Sequence, residues 1–342
     1  CFGSNNKEIT PHPNPSPPSG ERDGVRGMIK LMPLIGLREK GLKLILFGGK
    51  GGVGKTTCAA STALYLAKNF KTLLISTDPA HSVADSLGLK IGDEIKEVEG
   101  IKNLSALEIS AEKALSKFKI EYEDEIKKIF DTSTYLDQED IDSLLALPIP
   151  GIDEVMGFKT IVDLIEEAKF EKYIVDTAPT GHALRLLTLP ELLDDWIKVM
   201  AKMRWKYRYM VTTFAGKYKP DEADDLLLSM KKTVKRIENL LKDQQRCEFI
   251  VITIPESMAI LETERLINNL SKYGINVKQL VINNVLESGD CGFCRERKKE
   301  QEKYINQIGG KFSNLGITIT PLQPREVKGI DALENFKELL FR

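Results

Sequence analysis

Gly49-Lys50-Gly51-Gly52-Val53-Gly54-Lys55-Thr56 fits the pattern G-x-x-x-x-G-K-[ST] without a mismatch. An apolar run at 43–47 (KLILF) precedes it, and helical patterning follows from Thr56 to about Lys68. Strand, glycine loop and helix in that order make the pattern specific. Glycines let the backbone bend tightly and aim its N–H groups at phosphate oxygens. The helix N-terminus adds partial positive charge. Lys55 is placed to reach β- and γ-phosphates, and the Thr56 hydroxyl to ligate Mg²⁺. The loop through Thr57 is therefore expected to cradle ATP and Mg²⁺ and to serve ATP hydrolysis. The plain alternative, a glycine-rich turn without a ligand, is disfavoured by the flanking elements.

Outward from the loop, short β-branched apolar runs alternate with helical stretches. They lie at 72–77, 172–176, 249–254 and 279–282, with a weaker one at 317–320. Strands apolar on both faces and separated by helices predict a doubly wound, mainly parallel α/β sheet. Two connections exceed a simple crossover. The stretches at about 112–160 and 190–245 are expected to form one inserted α-helical subdomain on a P-loop ATPase domain spanning 28–342. Residues 1–27 carry Pro11, Pro13, Pro15, Pro17 and Pro18 among polar residues. That composition reads as a disordered tail or a cloning remnant, with Met28 available as a start.

The 342 residues carry a formal net charge of -1, which gives no sign of nucleic acid as a partner. No run of about 18 apolar residues suggests a membrane span. No charged-then-apolar leader is visible. Five cysteines in this length do not make a disulfide framework, and a reducing cytoplasmic setting is expected.

Two carboxylates follow strands that should end beside the loop. Asp78 lies in Ser76-Thr-Asp78-Pro-Ala-His81-Ser, and Asp176 opens Asp176-Thr-Ala-Pro-Thr-Gly-His182-Ala-Leu-Arg185. In a doubly wound sheet these ends face the phosphates. Asp78 is assigned to positioning or polarising the attacking water, and Asp176 to holding Mg²⁺ through a coordinated water. Singly, either could be a helix cap; together, downstream of a phosphate loop, they favour catalysis. His81 and His182 read as hydrogen-bonding links between the switches and the γ-phosphate. No Cys or His stands at ligand spacing from either.

The loop's extra lysine, D-P-A-H-S, D-T-A-P-T-G-H-x-L-R and a downstream C-x-x-C together resemble the arsenite-pump and tail-anchored-protein-targeting ATPases. The likeness runs from about Leu44 to Leu333. It implies that Lys50 reaches the partner subunit's nucleotide like an arginine finger. It places Glu256, in Ile254-Pro-Glu256-Ser, against that nucleotide too. It gives Asn283 the adenine-recognising position and sets 321–329 beside the base.

Arsenite needs about three converging thiolates. Cys1 is in the tail, while Cys58 and Cys247 read as buried, so no triad emerges. Cys291 and Cys294 supply two of the four ligands of a closed zinc site. Two chains at a twofold axis would complete it, as the targeting branch of the family implies. A redox pair before a helix is the rival reading, and two unremarkable cysteines a third. Leu189, Leu193, Trp196, Met200, Met203, Tyr207, Met210 and Phe214 recur at helical spacing, with Arg204, Lys206 and Arg208 off the stripe. The stripe reads as core packing or, by resemblance, as part of a groove for a client's transmembrane helix. The resemblance thus implies an ATP-gated cytosolic homodimer, open to pairing into a tetramer, that carries tail-anchored membrane proteins to a membrane receptor. The rivals are an ATPase subunit driving arsenite export and a redox-activated holdase. A membrane-surface positioning factor is disfavoured because 334–342 is too short for a terminal amphipathic helix.

Overall fold

The computed structural model describes residues 30–78, 82–131, 152–177, 180–287, 289 and 291–342. The expected tail, His81 and the middle of the first insertion lie outside these residues, as does the side chain of His182.

β1 (Leu44–Gly49) is buried at every position because it runs through the middle of the sheet. With β2 (Thr72–Ser76), β3 (Lys96–Glu97), β4 (Leu104–Glu108), β5 (Lys172–Asp176), β6 (Cys247–Thr253), β7 (Val277–Val285) and β8 (Gly316–Pro321) it forms one sheet. The order is β3-β4-β2-β5-β1-β6-β7-β8, and every pairing except β3–β4 is parallel. Alternate residues feed opposite cores. Leu44, Leu46, Leu73, Ile75, Tyr173 and Val175 face one, while Ile45, Phe47, Leu74 and Ile174 face the other. A parallel sheet covered on both faces explains why its strands read as unbroken apolar runs.

One face is covered by α1 (Lys55–Ala67), α2 (Ser82–Leu87), α10 (Ile330–Phe341) and a short 3₁₀ turn at Leu34–Arg38. The opposite layer holds α3 (Ala111–Glu121), α4 (Glu123–Asp131), α5 (Ile152–Glu166), α6 (Thr180–Ala215), α7 (Glu222–Lys242), α8 (Ser257–Lys272) and α9 (Gly292–Lys311). α3 to α7 pack on one another and share a continuous core with the sheet. α7 shows why: Leu226, Met230, Val234, Ile237 and Leu241 recur three or four residues apart and are buried, and Asp221 and Asp224 form a capping box at its start.

Two strands escaped the sequence reading. β4 (LSALE) buries Ser105 and Glu108 along with its apolar residues, so no apolar run marks it. The Glu108 carboxylate accepts from the Ala84 N–H at 2.9 Å, which satisfies it inside the fold. β3 is two exposed residues at the edge.

The Leu189–Phe214 stripe does not keep to one face. Met200 is buried, Tyr207 half-buried, and Met210 and Phe214 exposed. Its 3.5-residue period drifts about 20° per heptad on a straight 3.6-residue helix, so its end rotates off the core. Arg204, expected off the stripe, is buried and paired to Asp221 and Asp224. Its guanidinium also lies over the Tyr207 and Tyr218 rings, 4.8 and 5.7 Å from their centroids. Asp224 accepts a short hydrogen bond from the Tyr218 hydroxyl.

Candidate active site

β1 delivers the loop at the sheet's C-terminal edge. Gly49 and Gly54 have φ of +154° and +93°. A Cβ at Gly49 would lie 2.2 Å from the Ile252 carbonyl oxygen, and one at Gly54 2.3 Å from Asn283 Nδ2. The loop is thus pressed between its own helix and the neighbouring strands, and both positions require glycine.

Lys55 is nearly buried, and its ammonium donates to the Lys50 carbonyl at 3.1 Å. Burial lowers its pKa, while the charges of Asp176 and Asp78 work the other way. Asp176 has no solvent exposure, and its Oδ2 accepts from the Thr56 hydroxyl at 2.6 Å. In register it stands between Phe47 and Ser76, so the sheet fixes it beneath the loop. Thr77 N donates to the Asp176 carbonyl at 3.1 Å, tying the end of β2 to that of β5. Asp78 follows, its N–H donating to the Ser76 hydroxyl at 3.2 Å. Thr56 and Asp176 offer only oxygen donors at one point, which suits Mg²⁺.

A cleft of about 660 Å³ opens beside the loop. Gly52, Gly54, Thr56 and Thr57 line one side, and Asn283, Asn284 and the loop from Gln323 to Lys328 line others. The segment expected beside a base therefore does border the cleft. Asn283 is 4% exposed; its Nδ2 donates to the Val53 carbonyl at 2.9 Å and its Oδ1 accepts from Thr320 at 2.7 Å. In this arrangement it braces the loop from below. Asp85 and Ser86 also border the cleft without having been singled out, because neither sits in a patterned motif.

Lys50 and Glu256 lie outside the cleft. Lys50 Nζ is 3.9 Å from Glu262 Oε1, and Glu256 Oε1 accepts from Arg297 at 3.0 Å. Both pairs are partly exposed. Each residue is therefore held by its own chain, where surface ion pairing is weak enough to exchange partners.

Cys291 caps the start of α9, its sulfur accepting from Cys294 N at 3.3 Å. Hydrogen bonding from Cys294 lowers the Cys291 thiol's pKa. Cys58 and Cys247 are buried, as expected, and burial raises both thiols. Among the described residues no three His, Cys, Asp or Glu side chains converge to hold a metal.

A family model described as "Anion-transporting ATPase" matches residues 42–342. The chain belongs to this family. It is accordingly an ATP-hydrolysing enzyme, and its loop, Asp78 and Asp176 sit within the matched span. Among curated proteins it resembles "ATPase ASNA1 homolog 1" of Paramecium tetraurelia, 37% identical over 316 residues covering 90% of this chain and 94% of that one. "ATPase get3" of Neurospora crassa is 34% identical over 320 residues, 90% of this chain and 92% of the relative. Such coverage extends through the helical layer and the cysteine pair as well as the family's nucleotide core. No helix among the described residues is long and apolar enough to cross a membrane.

Proposed function

We propose that this ATPase works as a cytosolic homodimer that carries tail-anchored membrane proteins and releases them for insertion. The observation that carries the reading is an asymmetry within one chain. The phosphate cradle, Lys55, Thr56 and Asp176 already stand together, while Lys50 and Glu256 are paired with Glu262 and Arg297, and neither they nor the cysteine pair line the cleft. A second copy gives each of these a task. Lys50 and Glu256 exchange Glu262 and Arg297 for the partner's nucleotide, and four thiolates close a zinc site. We assign α3 to α7 to an inserted helical subdomain that shelters the client's apolar segment.

In the chemical step, the loop's N–H groups and Lys55 hold the β- and γ-phosphates. Bound Mg²⁺ would neutralise developing phosphate charge, held by Thr56 and, through water, by Asp176. Asp78 orients the attacking water and draws on its proton. The bond from its backbone N–H to the Ser76 hydroxyl, at the end of β2, supports that role. Asn283 keeps the loop shaped and borders the base.

The test is co-expression with a tail-anchored protein, purification through a tag on this chain, and gel filtration with light scattering. A soluble complex of the client with a dimer or tetramer, lost when the client's terminal helix is deleted, is expected. ATP turnover without retention of any transmembrane segment would sink the carrier reading while leaving the ATPase intact. Arsenite-stimulated turnover would then favour export, and protection of unfolding proteins only after thiol oxidation would favour a holdase.

A further inference from the structure

Between Trp196 and Pro220 the sequence has no Asp or Glu but seven Lys or Arg and six aromatic residues. α6 carries most of this stretch. Its inner side is committed to the fold through Ile197, Met200 and Arg204. Its outer side is not. Lys202, Trp205, Lys206 and Tyr209 stand at i, i+3, i+4 and i+7, so they share one face. All four are exposed, Trp205 at 64% and Tyr209 at 62%. The two rings stack on each other with centroids 5.9 Å apart. Arg208 flanks them, and exposed Phe214, Lys217 and Lys219 continue the surface.

The charges on this face are unspent. Lys198 pairs with Asp194 and Asp195, but Lys202, Lys206, Lys217 and Lys219 form no ion pair among the described residues. The nearest acids downstream, Asp221 and Asp224, are occupied by Arg204 and the start of α7. That start also carries exposed Glu222 and Asp225. Exposed Trp and Tyr interleaved with exposed lysines that form no ion pair among the described residues, and with an arginine whose guanidinium lies over the Tyr218 ring at 5.3 Å, is the chemistry of a membrane–water interface: amphipathic rings settle at headgroup depth and cations meet lipid phosphates. It suits a purely apolar partner poorly, because several cations would be desolvated.

We propose that the outer face of the C-terminal half of α6 docks peripherally on an anionic lipid bilayer surface. Docking is electrostatic in origin and is anchored by Trp205 and Tyr209. The rigid backing is the buried Arg204 cluster, which keeps the face turned outward. The inference goes beyond the carrier reading and needs no client.

The test is flotation of the full chain, without client, on phosphatidylcholine vesicles with and without one-third phosphatidylglycerol. The protein should float with the anionic vesicles at low salt, stay behind with neutral ones, and be released by high salt. Lys202→Glu, Lys206→Glu and Arg208→Glu together should reduce the bound fraction at least about tenfold. Tryptophan emission should shift to the blue on binding, and Trp205→Phe, which leaves Trp196 in place, should abolish most of the shift. Unchanged circular dichroism and ATP turnover would show that these exposed substitutions leave the fold intact. Equal flotation on neutral vesicles, or undiminished binding by the triple variant, would overturn the proposal. So would failure to float on the anionic vesicles at low salt, and three further results would then say what the face serves. Loss of self-association in a Trp205→Ala, Tyr209→Ala variant would assign the face to a second copy. Loss of a co-purified client by the same variant would assign it to a client helix. Salt-sensitive capture of a single-stranded oligonucleotide would assign it to nucleic acid.

Discussion

The amide nitrogen of Asn283, on β7, donates to the carbonyl of Val53 in the phosphate loop at 2.9 Å, although 230 residues separate them. The same side chain accepts from Thr320 on β8 at 2.7 Å. Two strands remote in sequence thereby set the height of the loop. Removing the amide leaves a buried carbonyl and a buried hydroxyl short of partners. Asn283→Ala is expected to lower stability by about 1–3 kcal/mol, read by urea denaturation, and to weaken nucleotide binding in calorimetry. Gly54→Ala should abolish binding, because its Cβ would fall on that amide at a positive φ. Unchanged affinity in both variants would remove the brace from the account.

Asp78 follows β2, whose end is tied to Asp176. Asp78→Asn keeps the side chain's size and removes its charge. ATP binding and oligomeric state should persist while turnover falls by about 10²-fold or more. Normal steady-state phosphate release by this variant would take Asp78 out of the water-positioning role.

The cysteine pair gives a stoichiometric prediction. Purified protein should contain one zinc per two chains, and chelation should convert dimer to monomer in light scattering. Cys291→Ser should lose both metal and dimer. In the metal-free protein, alkylation should reach Cys291 at lower pH than Cys58 or Cys247, since hydrogen bonding lowers the first thiol and burial raises the others. Full alkylation of all of them at one pH would contradict this.

Lys172, the first residue of β5, is wholly buried and donates to the carbonyls of Leu37, Glu39 and Leu42 at 3.0, 2.6 and 2.6 Å. It fastens the segment leading into β1. Burial lowers its pKa to about 8, with Glu39 and Glu171 pulling the other way. Between that value and the ordinary 10.5 the unfolded chain binds more protons here than the folded one, so this residue makes stability rise with pH in that window. Lys172→Met should be destabilised by about 1–3 kcal/mol, because the carbonyls lose their donor. Its deficit relative to the parent should widen from about pH 8 to 10.5. A constant gap in denaturation profiles would show that Lys172 does not titrate there.

Arg204 holds Asp221 and Asp224 at the α6–α7 junction from a nearly buried position. Without it Asp221 keeps Lys128 and the first N–H groups of α7, and Asp224 keeps the Tyr218 hydroxyl, so the loss is that of the charge-assisted bonds alone. Arg204→Ala should cost about 1.5–3 kcal/mol, seen as a lower urea midpoint, whereas Lys206→Ala on the exposed side should be near neutral. Equal effects would mean the cluster contributes nothing beyond helix propensity.

The phosphate loop, the strands flanking it and the burial of Cys58 and Cys247 were legible in the sequence because each rests on local chemistry. A glycine loop between strand and helix has few alternatives, and a strand buried on both faces must be apolar throughout. Asp78 and Asp176 could be placed for the same reason: parallel strands end on one edge. What the sequence could not decide depends on partners far along the chain. Ser105 and Glu108 conceal β4 because a buried polar residue interrupts the apolar run, and Glu108 finds the Ala84 N–H only once folded. Arg204 reads as a surface cation until Asp221 and Asp224 fold back onto it. The methionine stripe loses its single face because helix geometry outruns the pattern's period. Asn283 reads as a turn residue or a base contact, and only the approach of β7 beneath Val53 makes it a support for the loop. Local sequence thus set which groups gather at the phosphate loop. Packing between distant elements decided which polar groups are held inside and which face of α6 is left for solvent.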